Sequence, residues 1–217
     1  MRIAETTAAI LEALEVQEGP LPPKKRALVE AAIHCFAEKG YDATSTREIA
    51  QRAGVAEATI FRHFPTKKDL LLRLVQPALD NIVVPAAQQQ FDRAVADADG
   101  RVDDIIVPVL IGRIQFARRF FPLVRILMQE LPLQQELRDL LFAQLPKVFG
   151  AVGGLMEREM KAGRWKKRDP EQIMRQIGSM VIGYVMISSI FMPGRDWDDA
   201  AEIKAIVDTV LNGVRVR

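Results

Sequence analysis

A short run of polar and charged side chains between residues 46 and 63 could read the edges of DNA bases. Ala50 is followed four residues later by Gly54, and Gly54 is followed six residues later by Ile60. Two short helices that cross steeply need a small residue at the contact, a glycine in the turn and apolar residues that hold both to a core. The second helix could then lie in a major groove. The alternative is an ordinary helical hairpin in which the glycine only ends a helix.

Capping residues mark where the helices around this segment begin and end. Ser45 and Glu48 have the capping-box pattern, in which each side chain bonds to the backbone of the other. The helix that they open is expected to end at Ala53-Gly54, and the next is expected from about Glu57 to Phe64. Thr66 is a candidate cap for a fourth helix.

Helical periodicity extends over the rest of the chain, and we find no convincing strand alternation. A first firm helix is predicted from Lys24 to Lys39, and residues 3–15 have the pattern of a short amphipathic helix that could also remain mobile. Asp169-Pro170 is a strong helix start, and the last helix is expected after Trp197. We therefore predict an all-α protein, in which a three-helix helix-turn-helix domain precedes a helical bundle.

Few side chains could perform catalysis or hold a metal. The chain has two histidines, His34 and His63, and one cysteine, Cys35, and these do not form a set of metal ligands. The sequence shows no paired acid and base, no nucleophile with a nearby histidine and no glycine-rich phosphate loop. We expect neither enzyme activity nor a cofactor, which disfavours the reading of a helical enzyme for lipophilic substrates.

Charge and composition are those of a cytoplasmic protein with one basic segment. Among 217 residues the formal net charge is +2, yet residues 24–75 hold ten basic and six acidic residues, as a module that binds a polyanion would. The start of the chain does not resemble a signal peptide, and the single cysteine fits a reducing compartment. The longest uncharged run, 177–193, reads as a buried or interfacial helix, so we expect no membrane association.

At this point the segment from Ala31 to Leu72 closely resembles the N-terminal domain of the tetracycline-repressor (TetR) family. The resemblance rests on ordered matches along the segment: Phe36, Lys39-Gly40-Tyr41, Thr44-Ser45-Thr46, Ile49-Ala50, Gly54-Val55, 59–64 (TIFRHF), Lys67 and Leu70-Leu71. It implies a transcriptional repressor that binds DNA, and its partner is then a double-stranded operator.

The resemblance also implies roles for individual residues. Thr46 and Arg47 would meet the DNA backbone or a groove edge, and Glu57, Ala58, Thr59 and Arg62 would face bases or phosphates. Phe61 and His63 would lie against the backbone, and Lys67 would bind a phosphate. Two positions depart from the common family pattern, because Phe61 replaces a tyrosine and Ala56 replaces a capping serine.

The C-terminal part is expected to form a homodimer and to bind a small apolar or amphipathic effector. The dimer would form through the last two helices, because 177–191 is more apolar than one buried face requires; burial within the monomer is the alternative. Soft, bulky side chains could line the effector pocket. The candidates are Phe116, Phe120, Met128, Phe142, Met156, Met180 and Tyr184, although such stripes are also typical of plain core.

Arg113 is a further candidate for the pocket, because it falls within an apolar helical stripe. A buried cation needs a partner. This partner could be a carboxylate of the effector, an acid such as Glu130, or a group of the DNA-binding domain.

These patterns divide the chain into an extension (1–23), a helix-turn-helix domain (24–76) and a ligand-binding and dimerisation domain (77–217). We expect Pro77 to kink or interrupt the fourth helix and to serve as the hinge when ligand favours a dimer with badly spaced reading helices. The main alternative is a DNA-binding regulator without a ligand, either a constitutive repressor or an activator. A helical scaffold for protein interactions is a third possibility.

Overall fold

The structure, a computed structural model, describes residues 2–98 and 102–213. These residues form eleven α-helices and no strand, which confirms the predicted all-α fold. The helices are α1 (Arg2–Glu18), α2 (Pro23–Lys39), α3 (Thr46–Arg52), α4 (Glu57–His63), α5 (Lys67–Ala78), α6 (Val84–Asp97), α7 (Val102–Arg119), α8 (Phe121–Glu130), α9 (Gln135–Lys161), α10 (Pro170–Met186) and α11 (Asp199–Asn212). Two π-helical segments, Leu79–Val83 and Ile187–Phe191, extend α5 and α10.

The described residues divide into two compact units whose limits differ from the boundaries drawn on the sequence. The N-terminal unit comprises residues 2–85 and 119–144, and the C-terminal unit comprises the described residues of 86–118 and 145–213. The sequence placed 119–144 with the ligand domain. In the structure Leu123, Ile126 and Leu137 instead join the core of the N-terminal unit.

Helix α1 is part of the core of the N-terminal unit. Ile10, Leu11 and Leu14 are at most 3% exposed, and α1 packs against α2, α5 and α8. The sequence left two alternatives for the extension 1–23, a short amphipathic helix over 3–15 or a mobile segment. The helix runs on to Glu18, because Ile10, Leu11 and Leu14 bury an apolar face that would be costly to leave in water.

The capping residues predicted around α3 and α5 are in place. The Ser45 hydroxyl accepts a bond from the Glu48 backbone N–H at 3.1 Å, and the Thr66 hydroxyl accepts one from the Asp69 N–H at 3.0 Å. The Glu48 carboxylate pairs with Lys39 rather than with Ser45, so only half of the predicted capping box forms. Gly54 has φ +67°, a conformation that glycine adopts without strain, and this explains its place in the turn.

Pro77 neither ends nor breaks its helix. The helical path continues from α5 through the π-helical segment Leu79–Val83 into α6. A proline removes one backbone donor, and a wider π turn is one way in which a helix accommodates such a local defect. The predicted interruption is therefore replaced by a change of helical type just after the proline.

Two continuous helical runs, Lys67–Asp97 and Pro170–Phe191, are long and apolar enough to cross a membrane by length and composition. The sequence showed only the second of them as a candidate. One or two such runs are weak evidence, because the core helices of globular proteins have the same composition. In the first run Leu70, Leu71 and Leu74 lie in the core of the N-terminal unit.

The C-terminal unit has its own core, to which α7, α9, α10 and α11 contribute. Ile114, Met156, Ile203 and Leu211 are fully buried there. The Asp169 cap predicted for α10 is present, since its carboxylate accepts a bond from the Glu171 N–H at 3.0 Å.

A charged network ties three helices of this unit together. Arg118 of α7 makes two bonds to the Asp199 carboxylate of α11, at 2.6 and 2.8 Å, and the Tyr184 hydroxyl of α10 donates to the same carboxylate at 2.5 Å. Burial raises the pKa of Tyr184 to about 12, and its bond to Asp199 adds to this. Burial would raise the pKa of the Asp199 carboxyl as well, but the bonds from Arg118 and Tyr184 outweigh it and lower that pKa.

We expect Asp199→Asn to lower the free energy of unfolding by about 1–3 kcal/mol at pH 7, because it leaves Arg118 half-buried without its countercharge. A group whose pKa is lowered by folding stabilises above its unfolded pKa and loses this effect as pH falls through its folded pKa. The deficit of the variant should thus narrow below about pH 4. Urea unfolding at several pH values measures it, with exposed Asp196→Asn as the matched control. A deficit that is equal at pH 3 and pH 7 would contradict the ionic origin.

Candidate nucleic-acid interface and apolar cavity

Helix α4 presents one polar face to solvent and fixes itself to the core through the other. Ile60 is fully buried, whereas Glu57, Ala58 and Arg62 are exposed. Thr59 is half-buried, and Phe61 is 49% exposed. The first turn of α4 has no side-chain cap at Ala56, as the sequence predicted, and in that turn the Thr59 N–H donates to the Ala56 carbonyl at 2.8 Å.

The starts of α3 and α4 are joined by a hydrogen bond. The Thr46 hydroxyl donates to the Glu57 carboxylate at 2.8 Å. Arg47, the next residue on α3, is exposed and forms no ion pair among the residues that the structure describes. The structure thus brings Thr46, Arg47 and Glu57 to one region, and leaves a free guanidinium beside the exposed face of α4.

Lys67 makes hydrogen bonds within the N-terminal unit itself. Its ammonium donates to the backbone carbonyls of Tyr41 at 2.8 Å and Thr44 at 3.0 Å, and it lies 4.1 Å from the centre of the Tyr41 ring. An ammonium has three N–H donors, so these bonds use two of them. Lys67 holds the loop between α2 and α3 and keeps at most one donor for a phosphate.

We expect Lys67→Met to lower the free energy of unfolding of the protein by about 1–3 kcal/mol, because two carbonyls lose a charged donor. Lys68→Met is the matched control. Lys68 pairs with Glu136 through largely exposed side chains, and such a pair contributes about 0–1 kcal/mol. Thermal and urea unfolding compare the two variants. Equal stability of both, with DNA affinity lost only in Lys67→Met, would instead support the phosphate-binding role.

His63 lies at the end of α4, half-buried, with its ring centre 6.3 Å from that of Phe64. Within the described residues no group of three histidine, cysteine or acidic side chains could hold a metal. The position of His63 is thus compatible with packing or with a contact to a DNA backbone.

Most other cations near α2 are already paired within the N-terminal unit. Lys25 pairs with Glu18, and Arg26 pairs with Glu15 at 2.6 Å. Arg52 makes two bonds to Glu38 on the protein surface. The positive charge of this segment is therefore not all available to a polyanion. Arg47 and Arg62, which form no ion pair among the described residues, are the best placed of its cations to contact one.

The C-terminal unit contains an apolar cavity of about 230 Å³ between α7, α9 and α10. Among the residues that the structure describes, its lining contains one charged residue, Arg113, and one glycine, Gly178. The remaining lining residues are all aliphatic or methionine: Ile106, Val109, Leu110, Val152, Met156, Met174, Ile177, Val181 and Ile182.

Of the eight residues proposed for a pocket, the cavity brings together Arg113 and Met156. Phe116 is half-buried on α7 outside the lining, and Tyr184 belongs to the Arg118 network. Met180 is 43% exposed on α10. Phe120, Met128 and Phe142 belong to the N-terminal unit and do not line this cavity.

Arg113 donates from Nη2 to the backbone carbonyl of Ala87 at 3.0 Å. Burial lowers the pKa of Arg113 to about 10. Glu130, which the sequence offered as a partner, belongs to the N-terminal unit and accepts a bond from Gln134 at 2.7 Å. No acidic side chain among the described residues pairs with Arg113.

Comparison with known proteins adds two family matches. Residues 28–74 match the model of the bacterial regulatory proteins of the tetR family, and residues 111–213 match that of the C-terminal domain of AefR-like transcriptional repressors. Both lie within regions that the sequence assigned to DNA binding and to ligand binding or dimerisation.

Individual relatives agree with these matches. The fatty acid metabolism regulator protein of Bacillus subtilis is 22% identical over 195 residues, which are 88% of this chain and 96% of that protein. The HTH-type regulator YvkB of the same organism is 42% identical over 59 residues, 27% of this chain and only 31% of its own length. The solved structure of FadR from Bacillus subtilis in complex with stearoyl-CoA superposes with a TM-score of 0.65 at 19% identity, covering 87% of this chain and 98% of that one.

Proposed function

Because the chain belongs to the TetR family of bacterial regulatory proteins, we propose that it is a cytoplasmic transcriptional repressor that binds a palindromic operator as a dimer and is released by a small amphipathic effector. The observation that carries the proposal is the exposed face of α4, which bears Glu57, Ala58 and Arg62 on a helix anchored by the buried Ile60. A helix fixed in this way suits insertion into a major groove.

The dimer is supported by apolar surface on α10 and the π-helical segment after it. The run Pro170–Phe191 has only 28% of its most apolar window buried. A patch of this kind usually marks an interaction site. Its largest exposed side chains are Met180, Ile182, Ile187, Ile190 and Phe191, and the exposed Met192 follows directly after the run.

A dimer also fits the way in which a helix-turn-helix reads DNA. One such module contacts few base pairs, and two modules reach half-sites about 34–36 Å apart, one turn of the double helix. An effector that favours a dimer with a different spacing would lower operator affinity by shifting the population of states.

The effector is supported by the cavity of the C-terminal unit and by the relatives. An apolar cavity with one convergent charged group is the usual form of a small-molecule site. The Bacillus subtilis relative is a fatty acid metabolism regulator, and a solved structure of similar fold was obtained with stearoyl-CoA. Both favour a ligand with an alkyl chain.

Selection of genomic DNA fragments on the purified protein tests this function. We expect enrichment of an inverted repeat, binding of two chains per site, and affinity that falls steeply with salt. Addition of candidate effectors to the bound complex should release the DNA. Unselective binding, or a single chain per site, would contradict the proposed repressor, and release by no compound would favour a regulator without a ligand.

A further inference from the structure

The cavity of the C-terminal unit combines an apolar lining with one cation, Arg113, that is incompletely paired among the described residues. A guanidinium carries five N–H donors in a planar fork. The described residues give Arg113 one hydrogen bond, to the Ala87 carbonyl, and no carboxylate. The remaining lining offers aliphatic and methionine side chains.

An arginine in this position costs free energy unless an anion joins it. Removing a charge from water without a countercharge is expensive, and a carboxylate that accepts two parallel N–H bonds compensates the cost best. At a pKa of about 10 Arg113 still carries its charge at neutral pH. The cavity therefore presents a permanent cation at its wall and apolar surface elsewhere.

We propose that the effector is a medium-chain carboxylate whose carboxyl group pairs with Arg113 and whose alkyl chain fills the cavity between α7, α9 and α10. The inference rests on the proposed function, because it names the ligand class of the site described there. The guanidinium of Arg113 would then bind the carboxylate of the ligand, and the aliphatic side chains of the lining would contact its alkyl chain.

The cavity volume limits the length of the chain. A buried space of about 150 Å³ holds benzene, so about 25 Å³ serves one carbon. The cavity of about 230 Å³ then accommodates about nine heavy atoms of an alkyl chain and carboxylate. Octanoate, with ten heavy atoms, is the natural probe, whereas a chain of eighteen carbons would extend beyond the cavity.

The charge of Arg113 also favours binding of a free carboxylate over binding of an acyl thioester. A thioester carbonyl is neutral, so an acyl-CoA chain inserted into the cavity would leave Arg113 without a countercharge. A free carboxylate supplies that charge within the cavity. The ligand inferred for this chain thus differs from the stearoyl-CoA of the solved structure with similar fold.

Calorimetric titration of the full chain tests the ligand class with four compounds of known chemistry: octanoate, 1-octanol, octanoyl-CoA and stearate. We expect octanoate to bind at least tenfold more tightly than each of the other three. Arg113→Met should lower octanoate affinity at least tenfold and leave 1-octanol affinity unchanged, and Arg113→Lys should restore part of the loss because it retains the charge. Arg158→Met, the same exchange at an exposed position of α9, should bind octanoate like the wild type.

Three results would overturn the inference: equal affinity of the wild type for octanoate and 1-octanol, tighter binding of octanoyl-CoA or stearate than of octanoate, or an Arg113→Met variant that retains octanoate affinity. Because binding is measured without DNA, the proposed function fails separately, through loss of operator binding by the unliganded protein. Specific octanoate binding by a chain that binds no operator would support the ligand class and contradict the repressor.

Discussion

Replacing both Arg47 and Arg62 by glutamate is expected to lower operator affinity at least 100-fold while the fold stays intact. Both guanidinium groups lie on the exposed side of α3 and α4 and form no ion pair among the described residues. An arginine that contacts a base or phosphate contributes about 1–3 kcal/mol, and a carboxylate in its place adds repulsion. Exposed substitutions of this kind change stability by about 0.5 kcal/mol or less.

Fluorescence anisotropy with a labelled operator measures this prediction, and salt dependence sharpens it. Each lost phosphate contact should reduce the slope of log affinity against log salt by about 0.9. The control is Lys166→Glu with Lys167→Glu, which changes net charge equally at exposed positions of the C-terminal unit. An equal loss of affinity in the control would show that total charge, and not this surface, governs binding.

Gly178→Leu should remove the response to octanoate without harming the protein. Gly178 lies inside α10 and lines the cavity, and a Cβ atom added there would meet nothing within 4 Å. A leucine would enter the cavity and occupy space that the alkyl chain needs, so we expect octanoate affinity to fall at least tenfold. Glycine within a helix costs about 1 kcal/mol relative to good helix formers, so unfolding should require slightly more free energy.

Gly154→Leu provides the matched control for this variant. Gly154 is an exposed residue in the middle of α9, a Cβ atom added there would meet nothing within 4 Å, and it does not line the cavity. It should gain similar stability and keep octanoate binding. We expect operator bound by Gly178→Leu to stay bound at octanoate concentrations that release the wild type. If the same octanoate concentration released the operator from Gly178→Leu and from Gly154→Leu, the effector would have to bind outside this cavity.

Local signals in the sequence predicted much of the N-terminal unit. Ser45, Gly54 and Thr66 each act within a few residues of their own position, through a cap or a turn, and the structure places them as expected. The exposed face of α4 follows from the same local rules, because burial of Ile60 leaves the polar residues around it in solvent.

Contacts between distant residues could not be obtained in this way. Lys67 binds carbonyls 23 and 26 residues earlier in the chain, and nothing local distinguishes that role from a phosphate contact. The burial of α1 depends on α5 and α8, which begin at least 49 residues after α1 ends. A charge in an apolar stripe did mark Arg113, because one helix suffices to show that pattern.

The cavity lining shows the same limit from another side. Aromatic and methionine residues attracted attention as soft pocket formers, yet aliphatic residues of α7 and α10 and the absent side chain of Gly178 make most of the space. A void arises where packing fails between helices, and no residue type encodes that failure. Small residues on an otherwise bulky helix would have been the better signal.

The rate at which a reagent modifies the single cysteine of the chain can measure opening of the N-terminal unit. Cys35 is a residue of α2 that lies in the core of the N-terminal unit, with 1% of its surface exposed. Burial also raises the pKa of its thiol, which makes the reactive thiolate rarer. A thiol reagent can therefore reach Cys35 only after the unit opens. If labelling is slow compared with closing of the unit, the rate of modification is proportional to the fraction of molecules in which the N-terminal unit is open. Operator DNA bound to α3 and α4 should slow the modification of Cys35, so the labelling rate of this buried residue also reports DNA binding.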